Sequence, residues 1–127
     1  MLNHRSVYYS DVGLFLLLSI PVLNQYLVEL LLSFGEVGAS LFQTDAQWSF
    51  VAAFTGLLGI LGLGLSLLRL SLPETRDTVL ISFIVKFIAA AWLASLYFFG
   101  LSPAFGVLAV ADGLSGVLLA LAYFKHQ

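Results

Sequence analysis

Residues 48–68 read WSFVAAFTGLLGILGLGLSLL and contain no charged side chain. As a helix this run extends ~31 Å at ~1.5 Å per residue, enough to cross the ~30 Å hydrocarbon layer of a bilayer. It is the clearest membrane span in the chain. On its C-terminal side, Ser71, Pro73, Glu74, Thr75, Arg76 and Asp77 form a polar link. A second apolar run follows from Val79 to Gly100, broken only by Lys86, and a third from Ala104 to Phe124, broken only by Asp112. Gly100, Ser102 and Pro103 make a very short link between these two, which predicts antiparallel neighbours packed side by side.

On the N-terminal side, a longer link holds Gly35, Glu36, Gly38, Gln43, Thr44 and Asp45. Before it lies a first span over about 7–32, with a break expected within Pro21–Gln25. Two versions are open. The span runs from Val12 to Phe34 with a kink at Pro21, where the ring removes a backbone donor. Alternatively Val7 to Leu23 crosses, and Gln25 to Phe34 lies along the surface as an amphipathic piece. Glu29 favours the second version, because a carboxylate is tolerated at an interface and costly inside. Arg5 precedes the first run, but so does Asp11, and no small-residue cleavage pattern follows it. The run is expected to be a retained helix.

Composition agrees with a lipid-embedded protein. Of 127 residues, 61% are hydrophobic and 9% charged, against about half and about a quarter in ordinary soluble domains. A small soluble domain leaves too much surface in water to hide that apolar area. The net charge of −2 argues against nucleic acid as a partner. The absence of cysteine removes disulfides, thiol chemistry and Cys-ligated metal.

Orientation follows from Lys and Arg. Arg5, Arg69, Arg76 and Lys125 all fall on one side of a four-span chain, while the opposite side carries only Glu36 and Asp45. Three spans would break this segregation. The expected fold is therefore an all-α, four-transmembrane-helix antiparallel bundle in a single domain, with spans near 7–32, 48–68, 79–100 and 104–124 and both termini cytoplasmic. Tyr8, Tyr9 and Tyr123 at the cytoplasmic end, and Phe42, Trp48, Tyr97, Phe98 and Phe99 at the other, read as interface anchors.

Lys86 and Asp112 are the candidate site. A charge in hydrocarbon costs roughly 2.5–3.5 kcal/mol on the insertion scale. Counting helical rise from the cytoplasmic ends puts Lys86 ~12 Å deep and Asp112 ~17 Å deep, a gap that a lysine stem can bridge. An intramembrane ion pair is expected. Its simplest role is structural, fixing the register of two helices; the functional alternative is a proton or ion site, or an anchor for a lipid or quinone headgroup. A third arrangement has Lys86 reaching the headgroups or pairing with Asp11.

The small residues Gly56, Gly59, Gly62, Ala109, Gly113, Gly116 and Ala120 are expected to let helix backbones approach closely, within the bundle or against a partner. His4 and His126 lie outside the spans, so no paired histidines reach a haem in the core. No catalytic set, metal site or cofactor is expected.

The glycine-rich "TGLLGILGLG" after Trp48, then "ISFIVKFIAAAWL", then "SPAFGVLAVADGLSG" resemble a group of small bacterial four-helix membrane proteins of the DoxX-like kind, over residues ~48–124. Lys86 takes that group's basic position, commonly Arg, and Asp112 its acidic one. The resemblance implies the architecture of a small multi-pass protein of the cell (bacterial inner) membrane; the absence of catalytic groups makes a non-enzymatic role the expectation. Small multidrug transporters and fluoride channels match less well: the pattern around Glu29 departs from the first, and the second's Gly-rich, Arg-containing opening is missing. The expected partners are the lipid bilayer and other membrane protein subunits, or a second copy of the chain. An accessory subunit is the leading functional expectation, and a small transporter or proton-conducting protein the alternative.

Overall fold

The computed structural model describes residues 4–34 and 45–125, the first four of the second stretch by backbone alone. The expectations placed on Glu36 and Phe42, and on the side chains of Asp45 and Trp48, lie outside the described residues. Among the described residues the chain is all-helical. In order, the helices are α1 (Arg5–Ser19), α2 (Pro21–Ser33), α3 (Asp45–Ser71), α4 (Arg76–Phe98) and α5 (Pro103–Lys125). Three of them, α3 to α5, are long and apolar enough to cross a membrane, and the bent pair α1 and α2 makes a fourth if it is one span.

The helix ends follow local chemistry. Thr75 caps α4, its hydroxyl accepting from the Thr78 amide at 3.2 Å, and Asp77 in the first turn faces the positive end of the helix dipole. At the other end Gly100 takes a left-handed φ of +76°. The amides of Gly100 and Leu101 then turn back to the carbonyls of Tyr97 and Leu96. This is a Schellman closure, and a side chain at Gly100 would strain it. The chain reverses there within a few residues and starts α5.

Antiparallel packing is read directly from contacts. Along α4 and α5, Tyr97 meets Gly106, Ala90 meets Gly113, and Lys86 and Phe87 meet Gly116. Along α1 and α3, Phe15 meets Gly62 and Leu18 meets Gly59. These two pairs pack along their lengths, whereas the consecutive helices α3 and α4 barely touch. The fold is two helical hairpins set side by side. At the end carrying the basic residues they share a cluster of Val7, Tyr8 and Leu119, with Leu70, Phe83 and Leu118 packed around it.

The first apolar run differs in detail from the expectation. Its break falls at Ile20, one residue before the anticipated segment, because the proline ring pushes the preceding residue into extended geometry; Ile20 has φ −91° and ψ 117°. Pro21 then starts α2, where its missing N–H costs no helical bond, and the chain bends by 103°. Three hydrogen bonds hold α2 across the far end. Asn24 donates to the Ala52 carbonyl at 2.7 Å and accepts from Thr55 at 2.7 Å. Ser102 donates to the Leu31 carbonyl at 2.5 Å, satisfying one of the last-turn carbonyls that a helix leaves open.

The molecule is inverted relative to a soluble protein. Buried side chains include Asp11, Asn24, Ser66, Ser82 and Ser102, while Trp92, Val107 and Phe98 are 68%, 71% and 82% exposed. Such a surface suits hydrocarbon, which makes the apolar exterior favourable and requires polar groups to find partners inside.

Candidate functional site

Each hairpin contributes to one polar layer. Lys86 lies on α4 ten residues past Arg76, and its stem runs toward the far end to reach Asp112 on the neighbouring α5. The Nζ–Oδ1 distance is 2.8 Å. The same ammonium reaches across to the other hairpin and meets Asp11 of α1 at 2.5 Å. The sequence presented pairing with Asp112 and pairing with Asp11 as alternatives; in the structure a single ammonium makes both bonds. Asp11 is buried, its side chain 7% exposed, while Lys86 and Asp112 are partly buried at 12% and 24%.

Register brings a fourth helix to the layer. Phe15 opposite Gly62 and Leu18 opposite Gly59 place Ser66 of α3 level with Asp11, and Ser66 is buried. Toward the basic end, Ser82 lies one turn before Lys86 and Tyr8 one turn before Asp11. Tyr8 was expected to anchor at the interface. Instead it is 1% exposed, packed under Leu119, with its hydroxyl unpartnered. That hydroxyl faces Ser82, whose own proton goes to the Thr78 carbonyl at 2.7 Å. Tyr9, its neighbour, is exposed as an anchor should be.

Beyond Tyr8 the surface is charged. His4 on the N-terminal side pairs with Glu74 of the α3–α4 link at 2.5 Å, and the Arg76 guanidinium stacks 4.7 Å over the Tyr123 ring. The first contact ties the start of α1 to the α3–α4 link, and the second lies within the α4–α5 hairpin, at the end where Arg5, Arg69, Arg76 and Lys125 gather.

The small residues divide by what they touch. A Cβ on Gly59 would lie 2.6 Å from the Ser19 backbone nitrogen, and one on Gly62 would overlap the Phe15 ring. Both glycines are therefore occupied inside the α1–α3 hairpin. Gly56 meets Asn24 at 3.4 Å, and Gly116 meets Lys86 and Phe87 at 3.4 Å. Gly113 is looser, with Ala90 at 3.9 Å. Ala109 lines an outward-facing furrow between α4 and α5 with Ala94, Tyr97 and Gly106, and Ala120 is half-buried.

No protein-family model, curated protein or solved structure matches this chain. These comparisons neither support nor oppose the likeness to DoxX-like proteins, and the site stands on its own chemistry. That chemistry is electrostatic. Among the described residues no group of three His, Cys, Asp or Glu is placed to hold a metal ion. What the layer offers is one ammonium between two carboxylates in a low-dielectric interior, where such bonds are strong and an unpaired member is expensive.

Proposed function

We propose that this chain is a four-crossing, non-enzymatic membrane protein with both termini cytoplasmic, acting as an accessory subunit whose apolar outer faces pack against other membrane helices. The observation that carries this reading is the pair of ionic hydrogen bonds that Lys86 donates, one to Asp11 and one to Asp112. It clamps α1 to the α4–α5 hairpin at mid-depth, so the polar interior is spent on holding the bundle together and the recognition surface is the exterior. The gathering of Arg and Lys at one end supports the cytoplasmic assignment. The short α1 covers only ~22 Å, and α2, turned across the far end, completes the first crossing at the interface.

Isolation from native membranes in mild detergent tests this. The expected result is a stoichiometric complex larger than the chain, with tags at its two ends reporting from one compartment. A chain that runs alone in mild detergent and in nanodiscs would remove the subunit role, and tags on opposite sides would remove the topology.

The second reading is a proton or ion site using Lys86 and Asp112. One observation favours it: the layer contains two carboxylates for one ammonium, so full ionisation leaves a surplus negative charge inside the membrane.

A further inference from the structure

We infer that the Asp11–Lys86–Asp112 cluster binds one exchangeable proton, held by the two carboxylates around the ammonium and exchanged with the basic, terminal-bearing end of the bundle alone. The inference rests on the lipid-embedded reading and goes beyond the clamp.

Charge balance supplies the ligand. With both carboxylates ionised the cluster carries −1, and with one proton it is neutral. The charged and titratable groups facing it are Tyr8 on α1 and Arg69 at the end of α3; Glu74, in the link beyond, faces Tyr8. Arg69 makes no ion pair with the cluster among the described residues. It lines the α3–α4 groove with Leu72 and Thr78 instead, at the level of the basic end. Among the described residues, Lys86 is the sole cation within bonding distance of the two acids.

An unpartnered hydroxyl marks the route. Tyr8 is 1% exposed, lacks a hydrogen-bond partner and sits between the cluster and the basic end. A buried hydroxyl left open forfeits a bond that most such groups make. Beside it stands Ser82, itself 1% exposed. Each hydroxyl can accept one proton while releasing another, so a proton from water at the basic end reaches a carboxylate with no net change in either. The carboxylate becomes a carboxylic acid, and the reverse path releases the proton to the same side.

Nothing comparable leads the other way. From the cluster to the level of Asn24 and Thr55, the polar atoms on the described side chains are the hydroxyls of Ser19, Ser95 and Tyr97 and the indole nitrogen of Trp92. Trp92 and Tyr97 are exposed, and the hydroxyls of Ser19 and Ser95, both half-buried, donate to carbonyls of their own helices. The polar path is a dead end, which distinguishes a proton-binding device from a conducting pore.

Infrared difference spectroscopy on the full chain, uniformly oriented in proteoliposomes, tests this through the carbonyl stretch of a protonated carboxyl group. The expected band corresponds to one acid per chain and titrates reversibly. It disappears in both Asp11→Asn and Asp112→Asn, because either change leaves one carboxylate for one ammonium. A pH jump at the terminal-bearing face moves the band, and the same jump at the opposite face does not. Tyr8→Phe keeps its amplitude and slows its response at least about tenfold, the scale lost when a positioned proton carrier is removed. The inference is overturned if the folded wild-type chain shows no such band, if the band survives in either Asn variant, if it appears only in Arg69→Gln, or if the opposite face controls it. Carbonate extraction and terminal tags judge the membrane reading separately.

Discussion

Lys86 bonds two carboxylates, and that changes which substitutions the bundle tolerates. Were Lys86 and Asp112 a closed pair, replacing both with apolar residues would leave no charge behind. With Asp11 as a third member, the double variant Lys86→Met/Asp112→Leu strands one buried carboxylate. It should lose about 3–5 kcal/mol, the range for a buried charge deprived of its partner. Lys86→Met alone should lose at least as much. The triple variant Asp11→Leu/Lys86→Met/Asp112→Leu should recover most of the loss, since apolar replacement of a whole buried ionic group is often neutral or stabilising. Unfolding titrations in mixed micelles, followed by circular dichroism, measure all three; a double variant as stable as the triple would show that Asp11 plays no part in the clamp. The sequence made part of this cluster legible. Helical rise places Lys86 and Asp112 at compatible depths, but depth along a helix says nothing about rotation around it. Asp11, Ser66 and Tyr8 lie at suitable depths too, and only packing turned them inward. Tyr8 was the hardest to find, because a tyrosine near a span end ordinarily reads as an interface anchor. The available signal was spacing: Tyr8 and Asp11 share one face of α1, as Ser82 and Lys86 share one of α4.

Glycines that look alike in the sequence separate once the helices are packed. Gly59 approaches the α1 backbone, where a Cβ would lie 2.6 Å from the Ser19 nitrogen, and a backbone atom cannot step aside. Gly62 meets the Phe15 side chain, which can rotate. Gly64 has nothing within 4 Å. Alanine should therefore be most costly at Gly59, about 1–3 kcal/mol by analogy with overpacked cores, cheaper at Gly62, and neutral to stabilising at Gly64, where removing a helical glycine has only the propensity gain. The same micelle titrations rank the three, and equal effects at Gly59 and Gly64 would contradict the α1–α3 contact. At this scale the long elements were easy to read. Helices α3, α4 and α5 start and stop close to the apolar runs, because Pro73, Gly100 and Pro103 end or begin helices by their own geometry. The first run was not, for a physical reason. Pro21 announces a break, but the 103° turn is held by Asn24 on Ala52 and Thr55 and by Ser102 on Leu31. Those partners lie about 28 to 71 residues away in sequence, beyond the reach of any local propensity.

On the scale of the whole molecule, the two-hairpin arrangement makes assembly separable from insertion. Helices in lipid can insert first and associate afterwards, driven by packing and interhelical bonds. Here α1 and α3 form one tightly packed pair and α4 and α5 another, while the consecutive α3 and α4 barely touch. The covalent link at Pro73 thus joins two units whose affinity resides elsewhere: in the Val7, Tyr8 and Leu119 cluster, the α2 contacts, and the bond from Lys86 to Asp11. Fragments 1–72 and 73–127, expressed together, should therefore find each other and co-purify when one is tagged. Lys86→Met in the second fragment should weaken their association by at least about tenfold, since losing even ~1.4 kcal/mol of interface energy has that effect and the stranded Asp11 costs more. Gly113→Ala, which touches only the α4–α5 seam at 3.9 Å, should leave it unchanged. If Lys86→Met halves co-purify as well as the parent halves do, the ammonium does not join the hairpins, and their cohesion lies in apolar packing alone.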